Sequence, residues 1–294
     1  MSEEARVLLL AWSGLLGLLV GSFLNVCVFR LPRNCMSVVR PRSRCPRCRT
    51  LIAWYDNIPV FSWIALGGKC RHCRVPISPR YAAVELLTGA LYLFAAWRLL
   101  YGPGARLGPV DQAALFVLHA WFLGALIVST FIDLEFRILP DEITLPGVVI
   151  GLAWSAAFPL LAQAGDVRLL PGWNRHLAAL GMSALGALAG GGSIYAVGVL
   201  GKLVFRKEAM GFGDVKYMAM VGAVLGWRGA LLTLVLACLF GSVYGVGRWI
   251  VTRTMGYVPF GPFLSAGALF MLFGAGLVDD GIRAYIELIR RLVR

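Results

Sequence analysis

The sequence predicts an all-α polytopic membrane protein with about eight transmembrane helices and one small polar domain. Of its 294 residues, 59% are hydrophobic and only 15% are charged. Soluble globular domains contain about 45–50% apolar and about 25% charged residues. The apolar residues form long runs, and the polar residues concentrate between positions 30 and 80. This composition excludes an ordinary soluble enzyme, a disordered chain and a secreted disulfide-bonded scaffold.

Eight apolar segments define the predicted spans. Residues 7–29 carry no charge and are long enough to cross a hydrocarbon core of about 30 Å at about 1.5 Å per residue. The segment 215–227 is short for a span, so we expect it to be tilted or shielded by neighbours. Gly186 and Gly190 are expected to let two helices approach closely. The further segments, in chain order, are residues 81–97, 112–132, 143–164, 177–205, 215–227, 230–246 and 258–278.

The ends of the chain and the basic residues indicate a topology. The net charge is +13, and eleven of the 28 Lys and Arg lie in residues 30–80, beside the single acid Asp56. Such a block next to a span is typical of a cytoplasmic segment, and anionic lipid can use the same charge. Nucleic-acid binding is disfavoured, because the aromatic residues there form one cluster suited to a core. Residues 1–29 are predicted to form a first transmembrane helix rather than a cleaved signal peptide. Residues 279–294 are predicted to form an interfacial amphipathic tail.

Two C-x-x-C pairs lie within residues 30–80 and predict a metal site. Two such turns supply four thiolates in the tetrahedral arrangement that structural zinc prefers. A domain of about 50 residues buries few apolar side chains, and a metal supplies the missing stability. Disulfides or free thiols are the alternative, although a cytoplasmic location disfavours disulfides. We therefore predict a structural Zn²⁺ ion, without an open position for catalysis, bound by Cys45, Cys48, Cys70 and Cys73.

Aspartates at the ends of two apolar segments are the candidate catalytic residues. Asp133 ends an apolar run, and Asp214 follows Gly211-Phe-Gly213 at the start of another. A charge at such a position is unfavourable unless it is paired or hydrated. The glycines leave the backbone free to adopt a positive φ and to approach another segment closely. The alternatives are a water-facing carboxylate for Asp133 and a helix N-cap for Asp214.

Two neighbouring carboxylates can hydrolyse a peptide bond without a metal. They share one proton, because both do not ionise readily at short distance. The ionised carboxylate takes a proton from water, and the protonated one donates to the scissile carbonyl. Of the other acids near Asp133, Glu135 is expected to be solvated, and Asp141 is expected to cap the helix that it precedes.

The motifs together resemble those of bacterial type IV prepilin peptidases, the G-x-G-D class of aspartic peptidases, over nearly the whole chain. One departure is Ala82, where many relatives carry proline, and it affects a helix start rather than the chemistry. Besides the two C-x-x-C pairs, the matching stretches are residues 21–26, 57–59, 65–70, 80–81, 84–85, 132–133, 139–141, 211–214 and 259–262.

The resemblance implies a multi-pass enzyme of the bacterial inner membrane, with a peptidase core over residues 81–278 and its zinc domain and catalytic aspartates on the cytoplasmic side. The implied substrates are prepilins and pseudopilins of type IV pili and type II secretion, cleaved after a glycine. The new amino terminus would then be methylated with S-adenosylmethionine. Asp133 and Asp214 match the family's catalytic residues, and Gly211, Gly213 and Asp141 belong to the supporting active-site loop.

The sequence leaves two other functions open. Methyl transfer rests on the resemblance alone, because no G-x-G-x-x-G follows a predicted strand, so its binding site is unassigned and a peptidase without methyl transfer is an alternative. An ion- or proton-coupled transporter with a zinc domain is the other, with Glu85 as an intramembrane acid. A transporter of this kind would predict inverted repeats, and the sequence has no convincing internal repeat.

Overall fold

The protein is built from α-helices. The computed structural model describes residues 2–33, 37–40, 42–159, 172, 174–206, 210–253 and 258–293. Short 3₁₀ turns lie at Leu31–Arg33, Trp54–Asn57 and Pro103–Arg106. The helices, in chain order, are α1 (Glu3–Arg30), α2 (Phe61–Ala65), α3 (Arg80–Leu100), α4 (Pro109–Phe136), α5 (Asp141–Ala157), α6 (Arg175–Phe205), α7 (Phe212–Thr252) and α8 (Gly261–Val293).

The apolar runs of the sequence form these helices. Within the described residues, six helices are long and apolar enough to cross a membrane: α1, α3, α4, α6, α7 and the first part of α8, Gly261–Val278. Helix α5 has 17 residues, and α7, with 41 residues, contains two of the predicted segments. The prediction of an all-α polytopic membrane protein is therefore confirmed.

Three segment boundaries differ from the predicted ones. Helix α5 ends at Ala157, and Phe158 is already outside the helical region, because the following Pro159 disfavours a helical conformation before it. The rest of the predicted segment, residues 160–164, lies outside the described residues. Instead of a loop between two spans, α7 has a single break at Gly226, with φ 73° and ψ 175°, a conformation that only glycine adopts readily. The tail continues α8 as one helix.

Residues 1–136 form one compact unit in which α1, α3 and α4 pack together. Helices α1 and α3 run antiparallel in close contact. A Cβ atom at Gly17 would lie 2.8 Å from the Gly89 Cα, and one at Gly21 would lie 2.7 Å from the Glu85 Cα. Glycine is required at these positions because any side chain would push the helices apart. The Tyr92 hydroxyl then donates to the carbonyl of Ala120 on α4 at 2.8 Å.

Residues 137–294 form the second unit, which contains α5 to α8. Here α6 and α7 make the most extensive contact, through facing glycines. A Cβ atom at Gly186 would overlap the carbonyl oxygen of Gly222, and one at Gly190 would overlap that of Met218. The expectation that these α6 glycines allow close approach is confirmed. The Ser183 hydroxyl donates to the Ala223 carbonyl at 2.6 Å and adds a polar contact to this interface.

The α6–α7 contact predicts different effects for two glycine substitutions on α6. Gly186→Ala should destabilise the protein by about 1–3 kcal/mol, because the methyl group has no space. Gly192→Ala is the matched control, since nothing lies within 4 Å of the point that a Cβ atom would occupy there. The control should be neutral or slightly stabilising, because alanine favours helix more than glycine does. Unfolding in detergent, followed by circular dichroism, measures both; equal effects would contradict the proposed contact.

Candidate functional site

The four cysteines of residues 30–80 converge on one point. Their sulfur atoms all lie within 4.8 Å of one another. The Cys45 and Cys73 Sγ atoms, which belong to different pairs, are 3.7 Å apart. Four sulfurs at the Zn–S distance of about 2.3 Å form a tetrahedron with edges of about 3.8 Å. The arrangement therefore fits a tetrahedral metal ion.

The two cysteine turns have the same conformation. In each turn the backbone N–H of the first cysteine donates to the carbonyl of the residue five positions later, at 3.0 Å for Cys45 and 2.9 Å for Cys70. An arginine occupies the fourth position after that cysteine, and both Arg49 (φ 57°) and Arg74 (φ 56°) are left-handed. This turn presents two thiols from one short loop, and two copies of it complete the set of four ligands.

Hydrogen bonds favour the thiolate, the form that binds metals, at Cys48 and Cys70. Although its hydrogen bond with the Val75 backbone acts in the other direction, burial and the neighbouring sulfurs raise the pKa of Cys73 to about 11. Hydrogen bonds from the Thr50 hydroxyl and backbone N–H lower the pKa of Cys48 to about 6. Backbone N–H groups of Cys73 and His72 lower the pKa of Cys70. The donors that stabilise the sulfurs are thus supplied by the turns themselves.

Polar contacts connect the cysteine turns to the rest of this segment. The Arg71 Nε lies 3.0 and 2.9 Å from the two carboxylate oxygens of Asp56, and this guanidinium holds the pKa of Asp56 below its usual value. The Trp63 indole N–H donates to the Ile77 carbonyl at 3.1 Å. The Trp54–Asn57 turn and α2 are therefore attached to the second cysteine turn, and together they form what we call the cysteine lobe, residues 42–79.

Asp133 lies in the last turn of α4 and is only 6% exposed. Two residues later, the Glu135 carboxylate pairs with Arg80 at the start of α3 and with the Arg33 guanidinium at 3.7 Å. Arg33 also lies 4.8 Å from the centre of the Phe136 ring. Glu135 is exposed, as expected. Two arginines from other elements also bind it and hold the end of α4 that carries Asp133.

Asp214 is the third residue of α7, and Gly211 occupies the N-cap position. The Asp214 carboxylate accepts a hydrogen bond from the Gly211 N–H at 3.2 Å, while the Asp214 N–H donates to the Gly211 carbonyl at 3.1 Å. Neither Gly211 nor Gly213 has a positive φ, so that part of the expectation was wrong. Gly213 lies close to Leu139, since a Cβ atom at Gly213 would be 3.3 Å from the Leu139 Cβ, a tight contact.

Asp141 is the first residue of α5, and its carboxylate accepts hydrogen bonds from the Lys216 Nζ at 2.8 and 2.7 Å. The expectation that Asp141 caps α5 was wrong. Pro140 occupies the N-cap position without a side-chain hydrogen bond, and its carbonyl accepts from the Thr144 N–H. The pairing of Asp141 with Lys216 was not predicted, although a base two residues after Asp214 was a signal for an ion pair with a nearby acid.

Glu85, the intramembrane acid of the transporter alternative, has a structural partner. It is 8% exposed on α3, and its carboxylate accepts a hydrogen bond from the Val60 N–H at 2.7 Å. The backbone donor satisfies a group that would otherwise be costly to bury. Glu85 thereby attaches the cysteine lobe to α3.

Two family models match the chain. The bacterial peptidase A24 N-terminal domain matches residues 15–99, and the type IV leader peptidase family matches residues 120–246. The first match contains all four cysteines of the cluster. The second contains Asp133, Asp141 and Asp214 together with both glycines that precede Asp214.

Curated relatives share this similarity over most of the chain, and each is named prepilin leader peptidase/N-methyltransferase. A Myxococcus xanthus protein is 43% identical over 242 residues, which cover 82% of this chain and 63% of that protein. A Pseudomonas aeruginosa protein is 36% identical over 301 residues, covering 93% and 92%. An Aeromonas hydrophila protein is 37% identical over 286 residues, covering 88% and 89%. No solved structure matches the chain.

The Asp141–Lys216 ion pair predicts a measurable coupling. A double-mutant cycle of Asp141→Asn and Lys216→Met should give an interaction free energy of about 0.2–1 kcal/mol, since the pair is partly exposed. The same cycle with the adjacent Glu142→Gln in place of Asp141→Asn is the control and should give no coupling. Unfolding in detergent measures both cycles. Zero coupling for the first cycle would show that the ion pair does not join α5 to α7.

Proposed function

The chain belongs to the type IV leader peptidase family, and on that premise we propose that it is a membrane endopeptidase that removes the leader of prepilins and pseudopilins and then methylates the new amino terminus. One observation carries the proposal. The Pseudomonas aeruginosa relative, whose name includes both activities, aligns with 93% of this chain and across 92% of its own length. The alignment therefore includes the cysteine lobe and both aspartate-bearing helices.

In the proposed mechanism, Asp133 and Asp214 act as one catalytic pair that shares a proton. The ionised carboxylate removes a proton from water as the water oxygen bonds to the scissile carbonyl carbon. The protonated carboxylate donates its proton to the carbonyl oxygen. When the tetrahedral gem-diol collapses, the protonated aspartate gives its proton to the leaving nitrogen and the C–N bond breaks. One hydroxyl of the gem-diol returns its proton to the other aspartate as the new carboxyl group forms, so the pair is left with one proton as before.

The surroundings of the two aspartates support a division of roles. The Asp214 carboxylate lies in the first turn of α7 and accepts the Gly211 N–H. Helix N-termini stabilise negative charge, so Asp214 suits the general base. Asp133 lies in the last turn of α4, where the helix dipole disfavours a second negative charge. It is also shielded from water, and it therefore suits the proton-bearing partner.

Each aspartate lies beside an ion pair that fixes its helix end. Arg33 and Arg80 bind Glu135 two residues after Asp133. Lys216, two residues after Asp214, binds Asp141. Catalytic geometry must be held within a fraction of an ångström for efficient reaction. We assign both ion pairs the role of positioning, without contact to the reacting peptide.

Methyl transfer must follow cleavage, because cleavage creates the amine that is methylated. The proposed donor is S-adenosylmethionine. The amine nitrogen bonds to the donor's methyl carbon as the carbon–sulfur bond breaks, which releases S-adenosylhomocysteine and a proton. No residue is assigned to the donor, and the peptidase-only alternative differs from this proposal at that step alone.

We assign the four-cysteine cluster to one structural Zn²⁺ ion, and we place the cysteine lobe and the catalytic aspartates on the cytoplasmic side of the bacterial inner membrane. The 3.7 Å separation between sulfurs of different pairs supports the metal. The excess of arginine and lysine between residues 30 and 80 supports the sidedness. The transporter alternative has no support among the relatives, which carry peptidase and methyltransferase names.

Replacing either aspartate should abolish leader cleavage. Asp133→Asn and Asp214→Asn should each lower kcat/KM for a purified prepilin by a factor of about 10³ or more, since each removes one member of a unit. Asp111→Asn, at the opposite end of the helix that carries Asp133, is the control and should cleave normally. Mass spectrometry reports leader loss, and wild-type cleavage by either variant would remove that residue from the pair.

The same variants distinguish the two activities. A prepilin peptide supplied in the already cleaved form should gain one methyl group with both aspartate variants, because methyl transfer does not use the proposed pair. A wild-type enzyme that cleaves without ever methylating would support the peptidase-only alternative.

Metal analysis should find about one zinc ion per chain. Cys73→Ser should lose the metal and lower the unfolding temperature, because the ion joins the two cysteine turns. Cys238→Ser is the control, since Cys238 is an exposed cysteine outside the cluster, and it should keep the metal. A zinc-free wild-type protein, or an unfolding temperature unchanged by chelation, would overturn the structural role.

A further inference from the structure

Large apolar side chains are exposed in one short stretch of the cysteine lobe. Trp54 is 75% exposed, Phe61 66% and Ile64 65%, and Ile58 between them is also exposed. We call these four residues the apolar patch. A lobe fully surrounded by water would be expected to bury such residues or to use them for binding.

The residues of the apolar patch are not the ones whose side chains bond α2 to the rest of the lobe. Helix α2 directs other residues inward: Ser62 is buried, with its hydroxyl donating to the Tyr55 carbonyl at 2.8 Å, and the Trp63 indole is bonded to Ile77. Phe61 and Ile64 are three residues apart and therefore share a different face of α2. Ser62 and Trp63 bond α2 to the rest of the lobe. Phe61 and Ile64 lie on another face of the helix and are exposed.

The depth of α2 follows from its bond to a membrane helix. Helix α3 has 21 residues and is about 30 Å long, which equals the thickness of the hydrocarbon core. Its first residue, Arg80, therefore marks one edge of that core. Glu85 is five residues further in, about 7.5 Å along the axis. Because its carboxylate accepts the Val60 N–H at 2.7 Å, the start of α2 lies below the level of the helix end.

Helix α1 also extends past this level. Gly21 contacts the backbone of Glu85, and α1 continues nine residues beyond Gly21 to Arg30. The residue that bonds the start of α2 therefore lies inside the span of both helices. At this level both helices expose apolar side chains, among them Phe23 (50%) and Leu86 (53%). The patch is thus close in depth to surfaces that face lipid.

The backbone conformation of Val60 indicates that the chain is held in place just before α2. Val60 has φ 61° and ψ −51°, a conformation that is unusual for a β-branched residue. Such a conformation persists only where the surroundings hold it. Here the buried Glu85 carboxylate binds the N–H of this residue, so the membrane helix fixes the point from which α2 begins.

The charges of the lobe complement an anionic surface. The first cysteine turn and its flanks carry exposed arginines at 42, 44, 47 and 49, and the second carries exposed Lys69 and Arg74. Basic residues beside an apolar face are the pattern of segments that lie in the interface of a membrane with anionic lipids.

We propose that the apolar patch is immersed in the boundary between headgroups and acyl chains of an anionic bilayer, so that the cysteine lobe is a membrane-surface domain. Segments of this kind penetrate about 5–10 Å, a range that includes the separation of about 7.5 Å between Arg80 and Glu85 along α3. The occupant of the patch is therefore lipid. This inference is independent of the peptidase and methyltransferase assignments.

Photocrosslinking of the full-length protein in liposomes of phosphatidylethanolamine and phosphatidylglycerol tests the proposal. The amino acid p-benzoylphenylalanine replaces Phe61 or Ile64 in separate variants, and mass spectrometry detects lipid adducts after irradiation. Leu87, the eighth residue of α3 and 42% exposed, is the lipid-facing control. Leu51, 48% exposed beside the first cysteine turn and outside the apolar patch, is the comparison position within the lobe.

The proposal predicts adduct yields at Phe61 and Ile64 that match the yield at Leu87 and exceed the yield at Leu51. Yields at both positions no higher than at Leu51 would overturn it. Addition of a purified prepilin gives a second outcome: crosslinks that move from lipid to the prepilin at both positions would show a substrate surface instead. Each variant must first elute as a single symmetrical peak in size-exclusion chromatography. This check ensures that crosslinking yields are compared only between folded proteins.

Discussion

An acidic group at the end of an apolar helix needs a donor or a counter-charge, and this requirement determines where the polar contacts of the protein lie. The Glu85 carboxylate accepts a hydrogen bond from a backbone N–H of the cysteine lobe, and Glu135 forms ion pairs with two arginines. Asp141 forms an ion pair with Lys216, and Asp214 accepts a hydrogen bond from the N–H at the start of its own helix. In each case the partner also fixes an element end, so the contacts that stabilise the acids position the candidate catalytic residues.

Close helix packing provides the rigid frame for these contacts. Glycines bring α1 against α3 in the first unit and α6 against α7 in the second, at distances where a methyl group would overlap backbone. In lipid, helices associate through such packing rather than through a hydrophobic driving force. The cysteine lobe has too few buried apolar residues to be held by such packing. We propose that a metal ion at the four converging sulfurs replaces a core there.

The sequence predicted those features that depend on neighbouring residues. Apolar runs located the helices, and the spacing of the two C-x-x-C pairs predicted that four sulfurs could meet. It did not predict the partners of Glu135 and Asp141, which lie 55 and 75 residues away in Arg80 and Lys216. Such pairings depend on which helix ends lie next to each other in the fold. Hydrophobic periodicity predicts the helices but not their spatial neighbours. The single-residue break at Gly226 could not be predicted from hydrophobicity either, since α7 is apolar on both sides of it.

The central claim is that Asp133 and Asp214 act as one unit around a shared proton. Single-turnover cleavage of a purified prepilin with excess enzyme tests it most directly, by comparing Asp133→Asn, Asp214→Asn and the double variant. If the two carboxylates form one unit, the double variant should lose no more activity than the more damaged single variant. Losses that multiply in the double variant would show that the two groups act independently, and would contradict the account.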